Sequence, residues 1–168
     1  MEPHLEEDRS HKFSPSKLGV YQNCPRRYRY RYVDKISRAR KTPETVVGVA
    51  VHSAFEELYE LVRGGKLPTL QEVQRVYNRE FDAGWDESVV MKDERFAKED
   101  WRKMGDDCVA LYYQAHAPFT QDRTVAIEKR VGFSLLLDGR EYRIEGFIDR
   151  LALAPDGAFE IVDYKTAK

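Results

Sequence analysis

Between Leu18 and Tyr32 the apolar and aromatic residues Leu18, Tyr21, Pro25, Tyr28 and Tyr32 recur every three or four positions, which marks one face of a helix. Ser14-Pro15 supplies an N-cap with proline at the first helical position. Pro25 either kinks this helix or divides it into two short ones. Val47, Val51, Phe55, Leu58 and Val62 form a second stripe, predicting a helix over 44–63 that Gly64-Gly65 stops. Further helices are predicted over 69–84 and 93–116, the latter ending before Pro118. Around Thr124 the period changes to two, and strands are predicted over 125–137, 140–153 and 159–164. Asp138-Gly139 is a two-residue hairpin turn, and Pro155-Asp156-Gly157 a three-residue loop with a left-handed glycine. Residues 1–12 are polar and aperiodic and read as a flexible tail. The rest reads as a single α+β domain over 13–168, helical over 13–118 and forming a three-stranded antiparallel meander over 122–168.

The two turns set a register. With Leu137 facing Arg140, Tyr142 opposes Leu135, Ile144 opposes Phe133, Gly146 opposes Val131 and Ile148 opposes Lys129, a mostly apolar face suited to carrying a helix. The other face of the middle strand holds Arg143, Glu145, Phe147 and Asp149, with Asp149 across from Glu128. On the far side Leu151 opposes Ile161 and Asp149 opposes Asp163, and Lys165 shares their face. Directly opposed carboxylates repel, with Cβ atoms roughly 4.5–5.5 Å apart. Either a hard divalent cation bridges these acids, or they lie solvated at a sheet edge beside Arg150 or Lys165. Glu128 lies ten positions from its turn, so a bulge would carry it off the row, whereas Asp149 and Asp163 lie nearer to theirs.

Composition narrows the class. With 168 residues, 42% hydrophobic and 12% aromatic, the chain can build a core. It carries neither a long apolar run nor a signal-peptide pattern, so no membrane association is expected. Two cysteines, Cys24 and Cys108, exclude a secreted disulfide scaffold and suit a reduced, cytoplasmic setting. The net charge is −1, yet Arg26, Arg27, Arg29, Arg31, Lys35, Arg38, Arg40 and Lys41 stand against Asp34 alone in one short stretch, which points to a polyanion partner. Tyr21, Tyr28, Tyr30 and Tyr32 interleave with these bases. At helical spacing Tyr21, Tyr28 and Tyr32 read as core, leaving Tyr30 to stack on an exposed base. Arg26, Arg27, Arg29 and Arg31 would meet phosphates without reading sequence.

Four stretches occur in an order that resembles the PD-(D/E)XK nuclease superfamily and, within it, the RecB-like branch, which includes helicase–nuclease domains and the exonucleases of CRISPR adaptation. They are Ser14 to Tyr28 with Cys24-Pro25-Arg26-Arg27-Tyr28, then Gly48-Val49-Ala50-Val51-His52, then Gly146-Phe147-Ile148-Asp149-Arg150, then Ile161-Val162-Asp163-Tyr164-Lys165-Thr166. The resemblance implies a restriction-endonuclease-like core and a Mg2+- or Mn2+-dependent deoxyribonuclease. Its expected activity is that of an exonuclease on DNA ends or single strands, in recombination, repair or CRISPR adaptation, with a helicase or recombination partner. The alternative is a nuclease-like DNA-binding or assembly module that does not cut. Residue by residue, Asp149 and Asp163 would be metal carboxylates, the carbonyl of Tyr164 a further ligand, and His52 an added ligand from a helix. Lys165 would hold or activate the attacking water. Glu56 and Glu128 would support these groups or be plain surface acids.

Two departures stand out. The family runs on past its third motif into a helix with a glutamine–tyrosine signature and a further strand, so this chain is expected to be an incomplete domain, finished by a cleaved C-terminal segment or a second copy. Cys24 matches the first of four cysteines that hold a 4Fe–4S cluster in many relatives; the other three have no counterpart, since Cys108 lies mid-helix. A cluster needs about four thiolates, so it would require cysteines beyond this sequence. Without them Cys24 is a remnant, or packs as a small buried hydrophobe.

Overall fold

A computed structural model of the chain describes residues 12–36, 40–91 and 95–166. The expected tail over 1–11, the expected helix start at Asp93, and Arg38 of the basic stretch lie outside the described residues. Two compact units make up the chain, one comprising Met1–Arg38 with Arg130–Phe147, the other Ala39–Lys129 with Ile148–Lys168.

In the first unit a short strand, β1 (Lys12–Phe13), pairs in parallel with β3 (Arg140–Leu153), Lys12 facing Arg143 and Phe13 facing Ile144. The tail expected through residue 12 therefore ends one residue sooner, and the expected antiparallel meander becomes a mixed four-stranded sheet. A two-residue strand is too short to show a period, which is why the pattern missed it. The Ser14 hydroxyl accepts from the Lys17 N–H at 3.2 Å and caps α1 (Pro15–Asn23). Pro25 divides the helix, opening α2 (Pro25–Tyr28), which runs into a π-helical turn, Arg29–Val33.

None of the residues in these three helical segments is buried. The rings of Tyr21 and Tyr28 meet edge-on at 5.3 Å, and those of Tyr28 and Tyr32 lie tilted at 5.1 Å, yet Tyr21 stays 54% exposed. The expected core stripe is instead a surface ladder of tyrosines covering one another. Cys24, at the junction of α1 and α2, is exposed, which corrects the reading of it as a buried hydrophobe. At the turn from β2 (Arg123–Leu137) to β3, Asp138 and Gly139 both adopt positive φ, 49° and 74°, as a twisted two-residue hairpin requires. The apolar face approaches α1 where Gly146 lies near Pro15. Val131, Phe133 and Leu135 remain exposed, so the helical cover expected there reaches just one end.

The second unit holds the core. α3 (Pro43–Arg63) buries Val47, Val51, Phe55 and Leu58 as expected and adds Val46, Ala50, Ala54 and Tyr59, while Val62 is only partly covered. α4 (Leu70–Gly84) begins in a capping box, with the Thr69 hydroxyl accepting from the Glu72 N–H and Glu72 accepting from the Thr69 N–H. It contributes Val73, Val76, Tyr77 and Phe81 to the same core. α5 (Lys98–His116) starts later than 93 because Asp100 accepts from the Ala97 N–H at 2.7 Å and closes the first turn there. β4 (Phe159–Val162) pairs with β3 as Leu153 to Phe159, Ala152 to Glu160, Leu151 to Ile161 and Arg150 to Val162, the register that the Pro155-Asp156-Gly157 loop predicts. Gly157 has φ 88°, and the Ala154 N–H donates to the Ala158 carbonyl at 2.9 Å. Among the described residues no helix is long and apolar enough to cross a membrane.

Candidate active site

The site lies wholly within the second unit, where α3 meets the ends of β3 and β4. α3 presents His52 on the flank of its apolar stripe, one turn after Gly48, which lies beside Thr166. β3 brings Asp149, and the residues just past β4 bring Tyr164. The alternation Asp163-Tyr164-Lys165 sends the middle residue inward. Tyr164 is 7% exposed, with its ring against Phe55 at 5.0 Å and Tyr112 at 5.7 Å. Burial leads the causes that push its phenol well above the ordinary tyrosine range.

With that ring anchored, the Tyr164 backbone is shared by two site residues. Its N–H donates to Asp149 Oδ2 at 2.8 Å, and its carbonyl accepts from His52 Nε2 at 2.8 Å. His52 Nδ1 faces Asp149 Oδ2 at 3.4 Å. Glu128 completes a group in which one donor atom each from His52, Glu128 and Asp149 lie within 4.8 Å of one another. Desolvation, then the charges of Asp149 and Glu56, hold the Glu128 carboxyl above its usual range, with His52 opposing. Glu56 itself is exposed, one turn along α3 from His52.

Asp163 and Lys165 share a side, as alternation requires, and are joined to each other, Lys165 Nζ to Asp163 Oδ2 at 2.5 Å. Asp163 is not among the three residues whose donors converge. It follows β4 directly, continuing the register that would set it beside Asp149, but its side chain is 56% exposed.

Beside the site sequence reasoning missed a buried ion pair. Arg150, 4% exposed, donates through Nη1 and Nη2 to Asp122 at 2.6 and 3.0 Å, and through Nη1 to Thr124 Oγ1 at 3.3 Å. Its guanidinium lies 4.1 Å from the centre of the Tyr59 ring. Arg150 is thus no counter-charge for Asp149. The signal was present, since Arg150 alternates with Ile148 and Ala152 on the inward face of β3.

The donor set fits a divalent ion. Two donors at adjacent corners of an octahedral ion with ~2.1 Å bonds lie about 3 Å apart. His52, Glu128 and Asp149 each offer one donor atom within 4.8 Å of the others, and this imidazole and these two carboxylates would hold such an ion. An imidazole and two carboxylates this close together suit a metal-dependent hydrolytic centre. A family model for the PD-(D/E)XK nuclease superfamily matches residues 12–168, and the chain belongs to that superfamily. Its members are metal-dependent nucleases, so the substrate is a nucleic acid and the metal divalent. No curated protein and no solved structure gives a match.

Proposed function

We propose that the chain is a Mg2+- or Mn2+-dependent deoxyribonuclease of the RecB-like kind, acting as an exonuclease on DNA ends or single strands in recombination, repair or CRISPR adaptation. The observation that carries this reading is the convergence of His52, Glu128 and Asp149, each of which offers a donor atom within 4.8 Å of the others. The bound ion supplies charge neutralisation at the scissile phosphate and acidifies a water molecule. Asp149 holds the ion, and its bond from the Tyr164 N–H fixes which carboxylate oxygen turns toward it. Lys165, its ammonium largely exposed, orients the attacking water and meets charge building on the phosphate. Asp163 holds that ammonium in place and, with Asp149, would be a carboxylate for the ion.

Arg26, Arg27, Arg29 and Arg31 supply phosphate contacts, and Tyr30, 39% exposed, a stacking face. Arg26 Nε donates to the Tyr30 hydroxyl at 2.9 Å and stiffens that ring. Lys41 belongs to the fold instead, since its ammonium is held by Asp86 at 2.6 Å and the Gly84 carbonyl at 3.2 Å. The two thiols are both free, and a reduced cytoplasmic setting suits them. They are too few for a four-thiolate cluster on their own.

The test is cleavage of end-labelled single-stranded DNA in Mn2+. Lys165→Ala should keep binding while cleavage falls by about two orders of magnitude or more, the scale of a lost electrostatic donor. Neutralising Arg27 and Arg31 should flatten the dependence of log affinity on log salt by about 1.4. Wild-type protein that binds DNA in Mn2+ without cutting it would establish the binding-module alternative and refute the enzyme.

A further inference from the structure

Asp149 and His52 both take their aim from the Tyr164 backbone, the first from its N–H at 2.8 Å and the second from its carbonyl at 2.8 Å. That backbone lies two residues past β4, beyond the last ladder pair, Arg150 with Val162, so sheet pairing does not hold it. The Tyr164 hydroxyl does not hold it either, being buried without a hydrogen-bond partner among the described residues. What remains is the packing of the ring. Two of its aromatic neighbours, Phe55 at 5.0 Å and His52 at 5.7 Å, come from α3. The third, Tyr112, comes from α5 and meets the ring edge-on at 5.7 Å and 88°, a geometry that the quadrupoles of the two rings favour. Tyr112 is itself fixed. Its ring packs against Phe55 and His116, each at 4.2 Å, and its hydroxyl and that of Tyr59 are hydrogen-bonded at 2.7 Å.

We propose that Tyr112 is a positioning residue of the metal centre, carrying the rigidity of α5 through the Tyr164 ring to the backbone that aims Asp149 and His52. This rests on the reading of the site as a metal centre. Tyr112 touches neither carboxylate nor ion. It acts by keeping the Tyr164 ring, and so the N–H and carbonyl of that residue, in one place before the ion arrives. Losing a group that orients a metal ligand directly weakens binding roughly 10–100-fold. Tyr112 stands one contact further out, so the lower end of that range is expected.

Mn2+ titration calorimetry on the full chain, without DNA, tests this together with thermal unfolding of the metal-free variants. Tyr112→Leu, which keeps apolar bulk and removes the ring, should weaken Mn2+ binding roughly ten-fold. Tyr112→Met takes its place if Tyr112→Leu does not fold. Tyr112→Phe, which keeps the ring and gives up only the bond to Tyr59, should melt lower than wild type yet bind Mn2+ like it. Phe81→Leu is the control, since that ring is buried in the same core but packs against Tyr77 and Trp85. It should lower the Tm and leave Mn2+ binding unchanged. A ringless Tyr112 variant that binds Mn2+ like wild type overturns the proposal while the metal centre stands. So does a Phe81→Leu protein that loses as much Mn2+ affinity, because the effect would then be a general loosening of the core. Weakened binding by Tyr112→Phe would place the effect in the hydroxyl and overturn the role given to the ring. If wild-type protein binds no Mn2+, the metal centre fails and the role of Tyr112 with it.

Discussion

Removing Asp122 should show how much of the sheet's attachment to the helices depends on one buried charge pair. Arg150 and Asp122 have side chains only 5% and 16% exposed, and two hydrogen bonds of 2.6 and 3.0 Å join them. Burial pulls the Arg150 pKa down, but the hydrogen bond from Arg150 to Asp122, together with Tyr59 and Tyr164, more than offsets this and keeps the guanidinium charged. Asp122→Ala leaves that cation buried without its counter-ion, which costs about 3–5 kcal/mol in comparable sites. Tyr59, 4.1 Å from the guanidinium, and Thr124 at 3.3 Å remain, so the lower end, about 3 kcal/mol, is expected. For a chain of this size that corresponds to a fall in Tm of roughly 6–12 °C. Arg150→Met keeps the volume, removes the buried charge and leaves Asp122 near enough to the surface to hydrate, so it should cost about 1–2 kcal/mol. Adding Asp122→Ala to Arg150→Met should then cost little more, giving a coupling of about 3 kcal/mol in a double-mutant cycle. Urea unfolding at 0.1 and 1 M NaCl is the assay, because a pair this sheltered is weakly screened. A loss under about 1 kcal/mol for Asp122→Ala, or one that vanishes in high salt, would mean the pair behaves as an exposed one and would refute the reasoning.

Gly105→Ala in α5 should destabilise strongly although alanine is the better helix former by about 1 kcal/mol. A Cβ there would overlap the Tyr77 hydroxyl and ring, and that ring is fully buried, so a drop in urea stability of about 1–3 kcal/mol is expected and a gain would refute it. At the start of α4, the Thr69 N–H and then Lys66 hold the Glu72 carboxyl at about 2. A depressed carboxyl stabilises above its unfolded pKa and loses that contribution as pH falls through the folded one. Wild type should therefore outlast Glu72→Gln on heating at pH 6, and the two should converge between about pH 4.5 and pH 2, whereas a pH-independent difference would refute the ion's part in the cap.

Much of the molecule is written in short-range chemistry that the chain carries in one dimension. Ser14 and Thr69 cap helices through their own hydroxyls, and Gly64-Gly65 ends α3. Pro155-Asp156-Gly157 sets the β3–β4 pairing because a turn of three residues admits one register, and from there alternation puts Tyr164 inward and Lys165 on the side of Asp163. His52 on the flank of an apolar stripe was legible for the same reason, since helical phase is local.

Tertiary packing decided what depends on residues far apart in the chain. Whether Tyr21, Tyr28 and Tyr32 are core or surface turns on what covers them, and no periodicity states that. The left-handed φ of Glu128 inside a strand is opposed by local propensity, and no periodicity announces it. Asp163 was read as opposite Asp149 from register alone, but its rotamer answers to Lys165 nearby, and a side chain beyond the last ladder pair is free to do so. Arg150 sits where alternation demands an apolar residue, and only the arrival of Asp122 and Tyr59 beside it makes a buried charge tolerable.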